Sequence, residues 1–236
     1  MSFTRWRSLV DGTEVDVGPA TPDTELLHSH WDARQLSGFS DGDEVSSFED
    51  LEGDNDLSGS GIYREDGING IPGIELDGTD DGYTTSDWDE TIDFGGVSFV
   101  VFEFDNTDSD MQLHDAETDD GGTTWFLVSD PDDDQYRIFG GNPQSTLVAG
   151  SPDTQSNYMV VEWADDNDQQ MRLNGSQIAD GDGGDRQLTA GENFGLGRAR
   201  DADERIVNGV ICEAGVYEPG VSITELESYL SDRYGI

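Results

Sequence analysis

Lysine is absent from this 236-residue chain: all eleven basic residues are arginine, set against 53 acidic residues for a net charge of −42. That balance excludes nucleic acid and anionic membranes as direct partners, because both demand a positive face. Cysteine occurs once, at Cys212, so no internal disulfide can form. His28, His30 and His114 are not in ligand spacing with it, and a structural zinc site is not expected. No apolar run approaches the roughly 18 residues of a membrane helix. No basic start leads into a long apolar run, so no secretory signal peptide is expected. Nucleophile elbows, phosphate loops, dinucleotide fingerprints and zinc-protease helices are all missing.

Charge of this magnitude ordinarily opposes a compact state. Yet the chain carries 10 Phe, 7 Tyr and 5 Trp, most of them in strand-like runs. Salt reconciles the two. At molar ionic strength the Debye length is about 3 Å, and acidic surface neighbours no longer repel. The composition therefore reads as a haloarchaeal or haloviral product, and its acidity reports the solvent rather than the ligand.

Residues 1–22 read as an arm and linker, with Phe3 and Trp6 as apolar anchors, Arg7 beside them, and Pro19 and Pro22 closing the segment. Residues 23–236 read as one β domain. Val97 to Phe104 is apolar on both faces, as a central strand should be. Thr123–Val128, Gln135–Phe139, Tyr158–Trp163, Gln170–Leu173 and Ile206–Tyr217 follow, separated by Asp/Gly turns such as Asn174-Gly175. Only the end is helical: Ser222 and Glu225 form a capping box, and Ile223, Leu226 and Leu230 share a face before Gly235. The predicted fold is an all-β antiparallel sandwich with one short C-terminal helix.

A series of short motifs runs through residues 25–236. It includes Trp31-Asp32-Ala33, Gly42-Asp43-Glu44-Val45, Gly67-Ile68-Asn69-Gly70-Ile71-Pro72, Leu76-Asp77-Gly78-Thr79-Asp80 and Leu173-Asn174-Gly175. Gly195-Leu196-Gly197-Arg198, Glu213-Ala214-Gly215-Val216-Tyr217 and the Leu230–Ile236 tail complete it. This order resembles the concanavalin A-like (LamG-type) lectin/glucanase superfamily, although Phe48 stands where a Trp is common. The resemblance implies a jelly-roll of two curved sheets, one often used for glycans, and a kind of domain common on the surfaces of tailed viruses.

Several residues are candidates for chemistry. Glu103, Asp105 and Asp108 resemble the carboxylate run of retaining glucanases. A strand leaving the core into an acidic loop is the better explanation of them, and catalysis is not expected. Trp88, in a polar loop, is the candidate aromatic for stacking sugar rings, whereas Trp125 and Trp163 read as core. Tyr136 with Arg137, and Arg172, Arg198 and Arg200, would bind acidic glycans, unless each arginine pairs with a surplus carboxylate. No cofactor is required. A Ca²⁺ or Mg²⁺ ion would most readily sit in one of the Asp clusters: Asp77/Asp80/Asp81, the 130–134 or 165–168 runs, or first of all Asp180/Asp182/Asp185.

Together these readings predict a non-enzymatic structural or adhesion protein on the virion surface of a haloarchaeal virus: a tail fibre, turret or decoration. It would contact virion proteins, sister subunits and a host glycan or surface-layer glycoprotein. A halophilic glycoside hydrolase and a purely architectural capsid or tail part are the alternatives. Thermal melts of the chain in molar KCl should be cooperative and should collapse in dilute buffer. An equally high cooperative melt at low salt would overturn the halophilic reading.

Overall fold

The computed structural model describes residues 7–10, 13–16, 21–92, 96–117, 123–130, 135–140, 145–163, 169–181, 188–200 and 205–236. In the arm, β1 (Arg7–Val10) pairs antiparallel with β2 (Thr13–Asp16), with Arg7 opposite Asp16. Phe3, Trp6, Asp182 and Asp185 lie outside the described residues.

Two antiparallel sheets make the sandwich. The back sheet runs β16 (Ser176–Gly181), β15 (Gln169–Leu173), β14 (Asn157–Glu162), β9 (Val97–Phe104), β18 (Asn208–Tyr217), β7 (Ile71–Asp77), β6 (Ile62–Ile68), with β3 (Leu27–Asp32) also paired to β18. The front sheet runs β13 (Ser145–Ala149), β12 (Gln135–Gly140), β11 (Thr123–Asp130), β10 (Met111–Glu117), β17 (Phe194–Leu196), β8 (Gly82–Thr85), β5 (Leu57–Ser60), β4 (Ser47–Phe48). The all-β sandwich expected from the strand pattern is the fold observed. Tight turns follow the residues that permit them: Asn69-Gly70 and Asn174-Gly175 hold left-handed φ angles of 51°, 80°, 48° and 76° between paired strands.

The double-sided apolarity of β9 has two physical causes. Val100, Phe102 and Phe104 face the inter-sheet core with Trp31, Leu113, Tyr136 and Trp163. Val97, Phe99 and Val101 face the other way, into a second cluster with Tyr158, Val160, Leu226 and Leu230. That second cluster lies beneath α1 (Ile223–Tyr234), which Ser222 caps through the Glu225 N–H and which Gly235 ends at φ 69°. Cys212 sits there too, and burial pushes its thiol well above the usual range.

A buried ionic network pins α1 to the back sheet. Glu213 of β18 has no exposed surface, and burial raises its carboxyl above the ordinary carboxylate range. Its oxygens accept from His30 Nε2 (2.7 Å), Tyr229 Oη (2.6 Å), Tyr234 Oη (2.7 Å) and Arg233 Nη1 (3.2 Å). Arg233 Nη2 donates to Asp32 Oδ2 at 2.6 Å, and Arg34 donates to the same oxygen at 2.9 Å.

Two predictions follow from the interior. Arg233→Met leaves two buried carboxylates without their shared cation, and should cost about 3–5 kcal/mol in urea unfolding in molar KCl; a loss under about 1 kcal/mol would contradict the assignment. His114 is buried on β10 against Phe194, and burial alone pushes its imidazole down to about 3. The unfolded chain takes up that proton near pH 6.5, so stability is full above that pH. It should fall by about 1.4 kcal/mol per pH unit from 6.5 toward 3. The His114→Gln variant should show a shallower loss over the same interval, and an unchanged slope would refute this.

Candidate functional site

Of the four sheet faces, two form the inter-sheet core and a third lies under α1. The outer face of the front sheet remains. Strand alternation fixes what it presents. Phe48, Leu57, Tyr83, Phe194, Leu196 and Ala116 point into the core. Their neighbours form a cross-strand row on the outer face: Ser47, Ser58, Thr84, Gly195, Asp115. Farther along, Tyr136 and Ile138 point inward, which turns Arg137 outward opposite Val148, itself 41% exposed.

Residues 198–200 cross this face as a strap, and two glycines make room for it. A Cβ on Gly195 would lie 2.7 Å from the Arg198 carbonyl oxygen. A Cβ on Gly82 would lie 2.8 Å from Cγ of Arg198. Asp115 anchors the strap, accepting from the Arg200 backbone N–H at 2.9 Å and from Arg200 Nη1 at 2.6 Å. Both partners of that pair are nearly sealed from solvent. Beside the strap, Ser60 Oγ donates to Asp81 Oδ1 at 2.8 Å. Half-buried Arg137 and Arg198, the hydroxyls of Ser58, Ser60 and Thr84, and the backbone of the strap thus share one face. Such a surface can hydrogen-bond sugar hydroxyls and carboxylates.

Two predicted glycan contacts are corrected by the structure. Trp88 is only 2% exposed. Its ring packs against His28, Trp31 and Phe194 at centroid distances of 5.4, 6.3 and 5.0 Å, and its backbone pairs with Glu192 and Gly191. The polar residues around it made a buried anchor look like a loop tip. Tyr136 has no exposed surface, because inward alternation on β12 sets it edge-on to Phe102 at 6.3 Å. Neither can stack a sugar ring. The arginines divide: Arg137 and Arg198 are on the front face, Arg200 is committed to Asp115, and Arg172 belongs to the back sheet, where Nε donates to Glu227 of α1 at 2.7 Å.

The carboxylate triplet is also placed. Glu103 faces the outer side of the back sheet with Val210 and accepts from Ser156 Oγ. Asp105 and Asp108 lie beyond the end of β9, both exposed. Trp163 is core as expected, and the Trp125 side chain lies outside the described residues. Asp180 is exposed on β16 opposite Gln170. Asp77, Asp80 and Asp81 do bring carboxylate oxygens within 4.8 Å of one another. They serve their own turn, however. The N–H groups of Thr79 and Asp80 donate to Asp77 Oδ1 at 2.7 and 3.2 Å and hold its carboxyl below the usual range. Among the described residues, no helix is long and apolar enough to cross a membrane.

A group that sequence reading missed joins three distant segments. His28, Glu90 and Glu218 each place a donor atom within 4.8 Å of the others. No spacing rule links them, because only the pairing of β3 with β18 and the burial of Trp88 bring them together.

No protein-family model matches this chain, and no curated protein matches it. Solved structures do. Domain 4 of AbnA, a GH43 extracellular arabinanase from Geobacillus stearothermophilus in complex with arabinotriose, is 18% identical, with a TM-score of 0.61 over 86% of this chain and 98% of that domain. Trypanosoma rangeli sialidase in complex with a difluoro-KDN is 14% identical, with a TM-score of 0.59; the match covers 98% of this chain but 36% of the sialidase. The receptor binding domain of botulinum neurotoxin D is 10% identical, with a TM-score of 0.59 over 87% of this chain and 52% of that one. The shared feature is the β-sandwich fold. The expectation that the chain is not an enzyme is overturned here. The same sandwich occurs within an arabinanase and a sialidase, so the fold gives no ground for that exclusion.

Proposed function

We propose that this chain is a concanavalin A-like carbohydrate-binding sandwich that holds acidic glycans on the outer face of its front sheet. In this reading it is displayed on a haloarchaeal virus particle, with the β1–β2 arm docking it to virion proteins or sister copies. The ligands would be host surface-layer glycans or glycoproteins. Arg137 and Arg198 supply the cationic donors, and Ser58, Ser60 and Thr84 supply hydroxyls.

The observation that carries the proposal is where arginine falls. In a chain with eleven cations for 53 anions, two half-buried arginines, Arg137 and Arg198, lie on the one sheet face that neither the core nor α1 covers. Solved structures with this sandwich include complexes with arabinotriose and with sialic acid, which supports a sugar as the ligand class. Brine reinforces the choice of contact chemistry. With a Debye length near 3 Å, long-range attraction is lost and only direct, forked arginine–carboxylate hydrogen bonds retain strength. Each contact is weak, and several copies on one particle would multiply it.

A glycan array run in molar KCl tests this. Uronate-bearing, sialylated or sulfated glycans should be retained over neutral ones, and Arg137→Ala or Arg198→Ala should weaken retention about tenfold or more, the scale of one charge-assisted hydrogen bond. Neutral glycans retained equally, or no effect of either substitution, would refute the proposal.

A further inference from the structure

We propose that His28, Glu90 and Glu218 form a divalent transition-metal site, suited best to zinc. The three donors come from β3, from the loop after β8 and from the residue directly following β18, and they converge within 4.8 Å. The inference is independent of the glycan reading, since it concerns a different part of the molecule.

The histidine is held as a ligand would be. Its Nε2 lies 2.8 Å from Asp89 Oδ1, so a carboxylate accepts that N–H and Nδ1 is left with the lone pair. Asp89 is fixed in turn: it accepts from Asn55 Nδ2 at 2.7 Å and its own N–H donates to Asn55 Oδ1 at 2.9 Å, with Asn55 fully buried. A carboxylate behind a histidine is the arrangement that orients metal-binding imidazoles and raises their basicity. Trp88 packs on the ring at 5.4 Å and sets its plane, and the buried indole N–H of Trp88 has no partner among the described residues. Glu218 is positioned by its backbone, whose N–H donates to the Leu26 carbonyl at 2.8 Å. Glu90 and Glu218 are both exposed, which leaves the outer side of the group open to solvent.

Donor chemistry selects the ion. One imidazole nitrogen with two carboxylates, and room for water, matches zinc in four-coordination. Calcium and magnesium prefer all-oxygen shells, so the histidine disfavours them. Two other groups of comparable compactness among the described residues fail the same test. His30, Asp32 and Glu213 are sealed in the core and occupied by Arg233, Tyr229 and Tyr234. The Asp77 turn is all carboxylate and satisfied by its own backbone.

Calorimetric titration of the chelator-treated full chain with Zn²⁺, in molar KCl with excess Mg²⁺ to occupy diffuse carboxylate sites, decides the matter. The expected result is one saturable equivalent of zinc. Glu90→Gln and Glu218→Gln, both at exposed positions, should each weaken it at least tenfold, and Asp77→Asn should leave it unchanged. His28→Gln should abolish it; should that variant not fold, the two glutamate variants still decide. Absence of a saturable equivalent above the Mg²⁺ background, or zinc binding unaltered in both glutamate variants, would overturn the proposal.

Discussion

A carboxylate with no exposed surface sits at the centre of the back sheet, and the placement of α1 follows from how Glu213 is satisfied. Burying such a charge costs several kcal/mol unless donors surround it. Here two tyrosine hydroxyls and a guanidinium arrive from a single helix, while His30 arrives from the neighbouring strand. Tyr229 and Arg233 lie four residues apart on one helical face, and Tyr234 directly follows Arg233 at the end of the helix. Arg233 also lies over the Tyr229 ring at 5.0 Å, so its own orientation is constrained. The helix in that position covers Val97, Phe99 and Val101, the apolar outer side of β9. A polar requirement and an apolar one therefore select the same docking, and the helix leaves the outer face of the front sheet uncovered.

The distribution of cations follows the same logic. Dissolved salt screens a surface carboxylate, but a hydrated potassium ion cannot enter a packed core. A buried carboxylate needs a cation that belongs to the chain. Arg233 and Arg34 meet at Asp32, Arg200 meets Asp115, and Arg172 meets the largely buried Glu227 of α1. Surface carboxylates such as Asp43, Asp77 and Asp153 instead serve local turns. Scarce arginine is thus concentrated where the solvent cannot replace it.

Much of this was legible in the residues themselves. The period-two runs, the capping box at Ser222 and Glu225, and the Asn-Gly turn at 174–175 announce their own local structure, because each depends on neighbours in sequence. The two-sided apolarity of β9 correctly marked a central strand. Trp88 was misread because burial is decided by rings from other segments, His28, Trp31 and Phe194, and not by the serine and aspartates beside it. Tyr136 failed differently: its strand was recognised, but which alternate side faces the core depends on pairing with β11 and β13. The cluster at His28 was out of reach for the reason that makes it interesting, namely that its members meet only through sheet register and a shared aromatic anchor.

The front face shows how a sandwich can acquire a polar surface without giving up strand packing. Its strands contribute small residues along the row Ser47, Ser58, Thr84 and Gly195, which alone would be a shallow, weakly discriminating surface. Arginine on a strand must point where alternation sends it, as Arg137 does. A strap laid across the sheet escapes that rule. Residues 198–200 approach the backbone of β17 closely only because Gly195 lacks a side chain, and Asp115 then fixes the strap through both backbone and guanidinium. Arg198 consequently lies along Gly82, with its aliphatic stem against the sheet. Rigid strands supply the platform and a tethered strap lays Arg198 across it. A change at Arg198 therefore alters the chemistry of this face while leaving the Arg200–Asp115 anchor in place.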